Sequence, residues 1–212
     1  MSSKEKIIKA AIEVFADKGK HGARMEGIAA RAKINKAMVY YYYGSKDNLF
    51  REVLISIFAK IFGKVIGSLA KPGSEDEDPV DRLKNLVRAN FETISQNPNF
   101  AKIALHAVAN EEQDLRYAME SIQRNFNQFY PAHVFSFFEK GVAQKAFRNI
   151  DPKQTVVSIV GMNVFYFIGK PIAKIILGLD GAEEQVFLKA REESILDLLL
   201  YGILERKTEH AK

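Results

Sequence analysis

The chain has 212 residues, 47% of them apolar, no cysteine and a formal net charge of +5. That length and composition suffice for one small module and one larger core, and they exclude low-complexity disorder. The missing cysteines exclude disulfides and thiol catalysis and fit a reducing, cytoplasmic setting. The charge is unevenly placed: residues 1–50 hold ten Lys and Arg against five Asp and Glu, whereas residues 51–212 hold twenty-one of each. A basic module attached to a neutral one is the footprint of polyanion binding. Charges near the amino terminus stand where a signal peptide needs an apolar stretch. The longest nearly apolar run, residues 156–169, is about 14 residues, against roughly 20 needed to span a bilayer. Neither export nor a membrane partner is expected.

The first predicted helix covers residues 3–18. Ser2 and Glu5 have capping-box spacing, Ile8, Ala11, Ile12 and Phe15 form an apolar stripe, and Gly19 stands where a helix ends. Met25, Ile28, Ala29 and Ala32 then recur at three and four residues, the mark of a short second helix. After a turn of three or four residues, Asn35 can accept from the free amides that open a third helix over residues 36–42. A spacing of 100° per residue puts Val39 and Tyr43 on one side of it and Lys36, Ala37, Tyr40 and Tyr41 on the other, with Tyr42 between the two. The first side closes a small core. The second, a small residue, a cation and two phenols, suits a DNA major groove lined by base edges and flanked by phosphates. Gly44 and Ser45 stop this helix and start a fourth, whose stripe from Leu49 through Val53, Ile57 and Ile61 to Phe62 runs to about residue 70. Two dozen residues make a rod of about 35 Å.

The run Gly19, Met25-x-x-Ile28-Ala29-x-x-Ala32, Ile34-Asn35-Lys36-x-x-Val39-Tyr40-x-Tyr42-Tyr43-x-Ser45-Lys46-Asp47-x-Leu49-Phe50 resembles the amino-terminal domain of the tetracycline-repressor (TetR-like) family of bacterial regulators. The resemblance covers about residues 5–52, with turn, helix and following cap in register. It implies an all-α protein: a three-helix helix-turn-helix domain over residues 1–46, joined by the long fourth helix to a helical effector-binding and dimerisation domain over residues 47–212. Lys36, Ala37, Tyr40 and Tyr41 then face bases, with Asn35 at the head of the recognition helix and Met38 at the edge of a thymine methyl. Arg24, Tyr42 and Lys46 hold phosphates, Lys46 with help from a helix amino terminus. Several positions depart from the family pattern: Lys20 for an aromatic residue, Ala23 and Arg24 for a hydroxyl cap, and Lys33 for a glycine in the turn. The lost cap costs about 1 kcal/mol and a lysine at positive φ a similar amount.

Residues 72–78 combine a Pro-Gly pair with an acidic run and read as an exposed loop without calcium-loop spacing. Helices follow over residues 79–95 and 98–109, then a longer one over 113–142 that bends near Pro131. Another opens at Asp151-Pro152 and ends around residues 169–171. A short apolar piece leads to Gly178, and a last helix covers 182–207. No stretch alternates as a strand and no internal repeat is present. The helices holding Val156, Val160 and Val164, and Ile195, Leu196, Leu199, Leu200 and Ile203, are apolar over more than one face. Spacing alone leaves burial within one subunit open. The family resemblance implies a homodimer formed by a four-helix bundle of this pair from each chain.

Aromatic residues are abundant in the second domain, and in aggregate they can line a cavity for a small effector, as the family implies. The candidates for its wall are Phe62, Phe91, Phe126, Phe129, Tyr130 and Phe165, with Glu92 and His106 supplying polarity. Catalysis finds no support: no His pair has metal-ligand spacing, no glycine-rich phosphate loop is present, and carboxylate pairs such as Glu111-Glu112, Glu183-Glu184 and Glu192-Glu193 read as solvated surface. No metal and no cofactor is expected. The reading is a DNA-binding, effector-released repressor that acts as a homodimer on a quasi-palindromic operator. Its alternative is an effector-independent architectural or partner-binding dimer.

Overall fold

The computed structural model describes residues 1–69, 77–125 and 130–204. Apart from one isolated bridge between Phe147 and Leu204, the regular elements among them are helices: α1 (Ser3–Gly22), α2 (Met25–Ala32), α3 (Lys36–Tyr43), α4 (Lys46–Leu69), α5 (Pro79–Ser95), α6 (Pro98–Asn110), α7 (Glu112–Asn125), α8 (Tyr130–Ala143), α9 (Pro152–Ile168), α10 (Lys170–Leu177) and α11 (Ala182–Ile203). Of the bent helix expected over residues 113–142 the described parts are α7 and α8; residues 126–129 between them lie outside the described residues, and with them Phe126 and Phe129. Most of the expected acidic loop and the end of the last helix lie outside them as well.

Local chemistry sets the ends of the first four helices. The Ser2 hydroxyl accepts from the Glu5 amide at 3.3 Å while the Glu5 carboxylate accepts from the Ser2 amide at 2.8 Å, a complete capping box. Gly19 takes φ +66°, yet helical pairing resumes and carries α1 to Gly22. Lys33 sits in the left-handed region at φ +56° and closes α2 through its N–H to Ala29 and Ala30. Asn35 caps α3 by accepting from the Ala37 amide at 2.9 Å, and Ser45 accepts from Asn48 at the start of α4.

Packing divides the chain into two compact units, Met1–Ile61 with Gln96–Asn127, and Phe62–Ser95 with Gln128–Lys212. The first is larger than a module of residues 1–46, because α6 packs along α1 and α7 along α6. Phe100, Ile103, Ala107 and Ala118 thereby join Ile7, Phe15, Ile28, Val39, Phe50 and Leu54 in one buried core. Phe15 and Phe50 meet edge to face with centroids 5.0 Å apart. In the second unit α9 packs against α5, α8 and α11. Phe137, Phe138 and Phe147 cluster there with centroids 5.1–6.1 Å apart. A Cβ at Gly141 would overlap the Phe147 ring, so the close approach requires glycine.

Candidate nucleic-acid interface

The third helix is eight residues long and buries one side chain, Val39. Lys36, Ala37, Met38, Tyr40 and Tyr41 are all exposed, Tyr41 to 79%. Tyr42 and Tyr43 are half-buried against the core of the first unit. Tyr42 stacks edge to face on Tyr41 at 5.3 Å and lies under the Lys4 ammonium at 5.6 Å. Burial, with Glu52 and Tyr42 adding to it, pushes the Tyr43 phenol up to about 12, and its hydroxyl donates to the Lys4 carbonyl at 3.4 Å. These rings brace one side of α3 and leave the other to solvent.

The expected DNA-facing residues are not all equally placed. Arg24 is exposed immediately before α2 and its side chain makes no cap bond. The Lys46 ammonium is half-buried and donates to the carbonyls of His21 and Ala23 at 3.1 Å each, so it closes the end of α1. Asn35 uses its side chain as the α3 cap. Lys36 pairs with Glu26 from the first turn of α2 and stands 5.6 Å from the Tyr40 ring. The hydrogen bond between them lowers the Glu26 carboxyl and raises the Lys36 ammonium.

Behind the helix-turn-helix lies an ion network that composition did not reveal. Lys20, just past the Gly19 kink, donates to Asp47 at 3.1 Å, Glu111 at 3.1 Å and Asp114 at 2.5 Å. Arg51 donates to the other Asp114 oxygen at 2.6 Å, and His21 lies 2.9 Å from Glu111. The Asp114 side chain is 4% exposed. Burial opposes the charge on both Lys20 and Asp114. The hydrogen bonds outweigh it, holding the Lys20 ammonium above its usual range and the Asp114 carboxyl below. Glu111, its side chain 10% exposed, is therefore a partner of Lys20 and not solvated surface. Glu184 is likewise bound by Lys170 at 2.6 Å, Lys174 at 3.2 Å and the Tyr166 hydroxyl at 3.0 Å, and Glu192 by Arg88 at 3.0 Å. Sequence could not signal the Lys20 network because Glu111 and Asp114 stand some ninety residues from Lys20.

The described effector candidates differ in their burial. Phe91 is buried against Phe167 at 5.7 Å and Phe62 is half-buried. Phe165 is 72% exposed, since α9 buries Ile159, Asn163, Tyr166 and Phe167 and turns residue 165 outward. Glu92 is exposed for the same reason on α5. His106 is exposed on α6 and belongs to the first unit. Tyr130 opens α8, and its side chain lies outside the description. A pair the sequence did not single out sits inside the second unit. Asn163 donates to Asn90 Oδ1 at 2.9 Å and to the Val87 carbonyl at 3.4 Å, leaving its own buried Oδ1 without a partner among the described residues. Two acceptors fix which way that amide faces.

The dimer candidates also divide. Ile195, Leu196, Leu199 and Ile203 are 0–6% exposed within the protomer, so the apolar breadth of α11 serves the chain's own core. Val156, Val164 and Leu200 are half-buried and Val160 is 42% exposed. The exposed apolar side chains of this region include Val157, Phe165, Ile175, Leu198 and Tyr201. Among the described residues no group of acidic residues and histidines is arranged to hold a metal, and no single helix is long and apolar enough to cross a membrane.

A family model described as bacterial regulatory proteins, tetR family, matches residues 7–53, and one described as tetracyclin repressor-like, C-terminal domain, matches residues 79–199. The chain is 29% identical to the HTH-type transcriptional repressor NicS of Pseudomonas putida, over 86% of this chain and 84% of that one. It is 21% identical to the fatty acid metabolism regulator protein of Bacillus subtilis over 93% of each. Among solved structures, the fatty acid degradation regulator FadR from Bacillus halodurans aligns with a TM-score of 0.72 at 18% identity, over 97% of this chain and 98% of that one. At that identity the likeness speaks for the fold.

Proposed function

The chain belongs to the tetR family of bacterial transcriptional regulators, and from that premise we propose that it represses from a quasi-palindromic DNA site, binding as a homodimer, and is released by a small apolar or aromatic effector. The observation that carries this reading is the division of α3, with Val39 buried and Lys36, Ala37, Met38, Tyr40 and Tyr41 presented together to solvent. A cation, a methyl, a thioether and two phenols on one short helix match base edges and thymine methyls, and the positive first fifty residues supply attraction to phosphate. Arg24 is free to reach a backbone phosphate; Lys46 orders the end of α1 with two of its three N–H donors and keeps the third for a phosphate.

Dimerisation falls to the exposed apolar side chains of α9, α10 and α11, Val157, Val160, Phe165, Ile175, Leu198 and Tyr201 among them. Two-fold pairing sets two recognition helices about one DNA turn, 34–36 Å, apart. The effector enters the second unit between α5 and α9, beside Phe91. There the Asn163 Oδ1 accepts a hydrogen from it, which favours a mostly apolar molecule with one donor. The fatty acid metabolism regulator protein of Bacillus subtilis, among the relatives, is in keeping with an apolar effector.

Selection of fragments from a random DNA pool by the purified protein, at a fixed near-physiological salt, tests this reading. It predicts enrichment of a two-fold site. Enrichment in proportion to DNA length alone would replace the repressor by an architectural binder.

A further inference from the structure

We propose that Glu26 and Lys36 together read one G·C base pair in each half-site, the carboxylate meeting the cytosine amino group while the ammonium meets guanine. This rests on the DNA-binding reading above. Glu26 lies in the first turn of α2 and Lys36 is the first residue of α3. Their charged groups touch across the turn, and the two side chains are 56% and 50% exposed. The first residues of a recognition helix are the ones that meet base edges, so Lys36 brings Glu26 with it into the groove.

The chemistry of the pair is complementary to one base pair. An ammonium only donates and a carboxylate only accepts. In the major groove a G·C pair offers two acceptors, guanine N7 and O6, followed by the N4 donor of cytosine. O6 and N4 are themselves joined by an N–H···O bond of about 2.9 Å, so an ammonium and a carboxylate already in contact span them without parting far. An A·T pair sets the adenine N6 donor beside N7, where the ammonium needs an acceptor, and places a methyl beyond thymine O4. The Tyr40 ring, 5.6 Å from the Lys36 nitrogen, limits how far the ammonium can swing away. A structural role does not account for the pair, because an ion pair this exposed contributes little to a fold. A carboxylate facing phosphates would only weaken binding unless a base donor met it.

The test is selection of sites from a random DNA pool by full-length wild-type protein, Glu26→Ala and Lys36→Ala at about 150 mM salt, with circular dichroism to confirm that each variant is folded. The wild-type motif is expected to hold one fixed G·C pair in each half-site. Glu26→Ala should admit other pairs at that position, losing roughly ten- to hundredfold of preference, while the rest of the motif stays. Lys36→Ala should relax the same position. A Glu26→Ala motif identical to wild type, with every site bound tighter by one common factor, would overturn the inference and leave the regulator reading intact. A wild-type pool without any two-fold motif would overturn that reading, and this one with it.

Discussion

Replacing Asp114 by Asn tests how far the first unit depends on its buried ion network. Each carboxylate oxygen holds one cation, Lys20 at 2.5 Å and Arg51 at 2.6 Å, on a side chain 4% exposed. Removing one member of a buried pair costs about 3–5 kcal/mol when the other is stranded. Here the stranding is partial. Lys20 keeps Asp47 and Glu111, and the Arg51 side chain, 32% exposed, can turn toward water. The expected loss is therefore about 2–3 kcal/mol, or about 5–10 °C in Tm for a chain of this size. Thermal melts followed by circular dichroism at pH 7 read it directly. The same residue sets a pH window. Its folded carboxyl is held below the usual range, so its contribution is complete above the unfolded carboxyl value of about 3.9 and is lost as pH falls through the lower folded value. The gap between wild type and variant should close in that acid range. An Asp114→Asn melt within a degree of wild type at pH 7, or a gap that persists unchanged in acid, would refute the argument.

Val39→Ala, which empties a fully buried site on α3, should cost about 2 kcal/mol of stability. Tyr41→Ala on the opposite face should leave the melt unchanged and weaken binding to the selected DNA site. Asn35→Ala removes the bond to the Ala37 amide and should destabilise the protein by about 1 kcal/mol in a denaturant titration. Lys33→Gly relieves a left-handed lysine at φ +56° and should raise stability by about 1 kcal/mol in the same titration. Leu198→Glu places a charge on the exposed apolar side of α11 and should shift the protein from dimer to monomer in sedimentation; an unchanged dimer would move the interface elsewhere.

What the sequence made legible was local. The 100° spacing separates Val39 from Tyr40 and Tyr41, the hydroxyl and carboxylate of Ser2 and Glu5 announce their capping box, and Lys33, where the family's turn has glycine, takes the left-handed φ of +56°. Long-range pairings carried no such signal. Nothing in Gln113 to Asn125 announces that Asp114 meets Lys20, or that α6 and α7 complete the core of the first unit and move its boundary past residue 46. Apolar breadth on α11 was ambiguous because a helix buried by its own chain and one buried by a second copy have the same composition. Ile195 and Leu199 resolve to the chain's own core, whereas Leu198 and Tyr201 point outward. Aromatic abundance was ambiguous for a related reason: a ring fills core as well as it lines a cavity, and only the helix register turns Phe165 out and Phe91 in.

The most direct test of the central claim is the ratio of Kd values for a scrambled DNA duplex and for the selected two-fold site, measured by fluorescence anisotropy at one salt concentration with wild type and with Tyr40→Ala/Tyr41→Ala. A reading helix predicts a wild-type ratio of about a thousand or more, and a collapse toward one in the double variant while affinity for the scrambled duplex persists. A wild-type ratio near one, or a high ratio untouched by loss of both phenols, would contradict the assignment of the outward face of α3 as the surface that reads DNA.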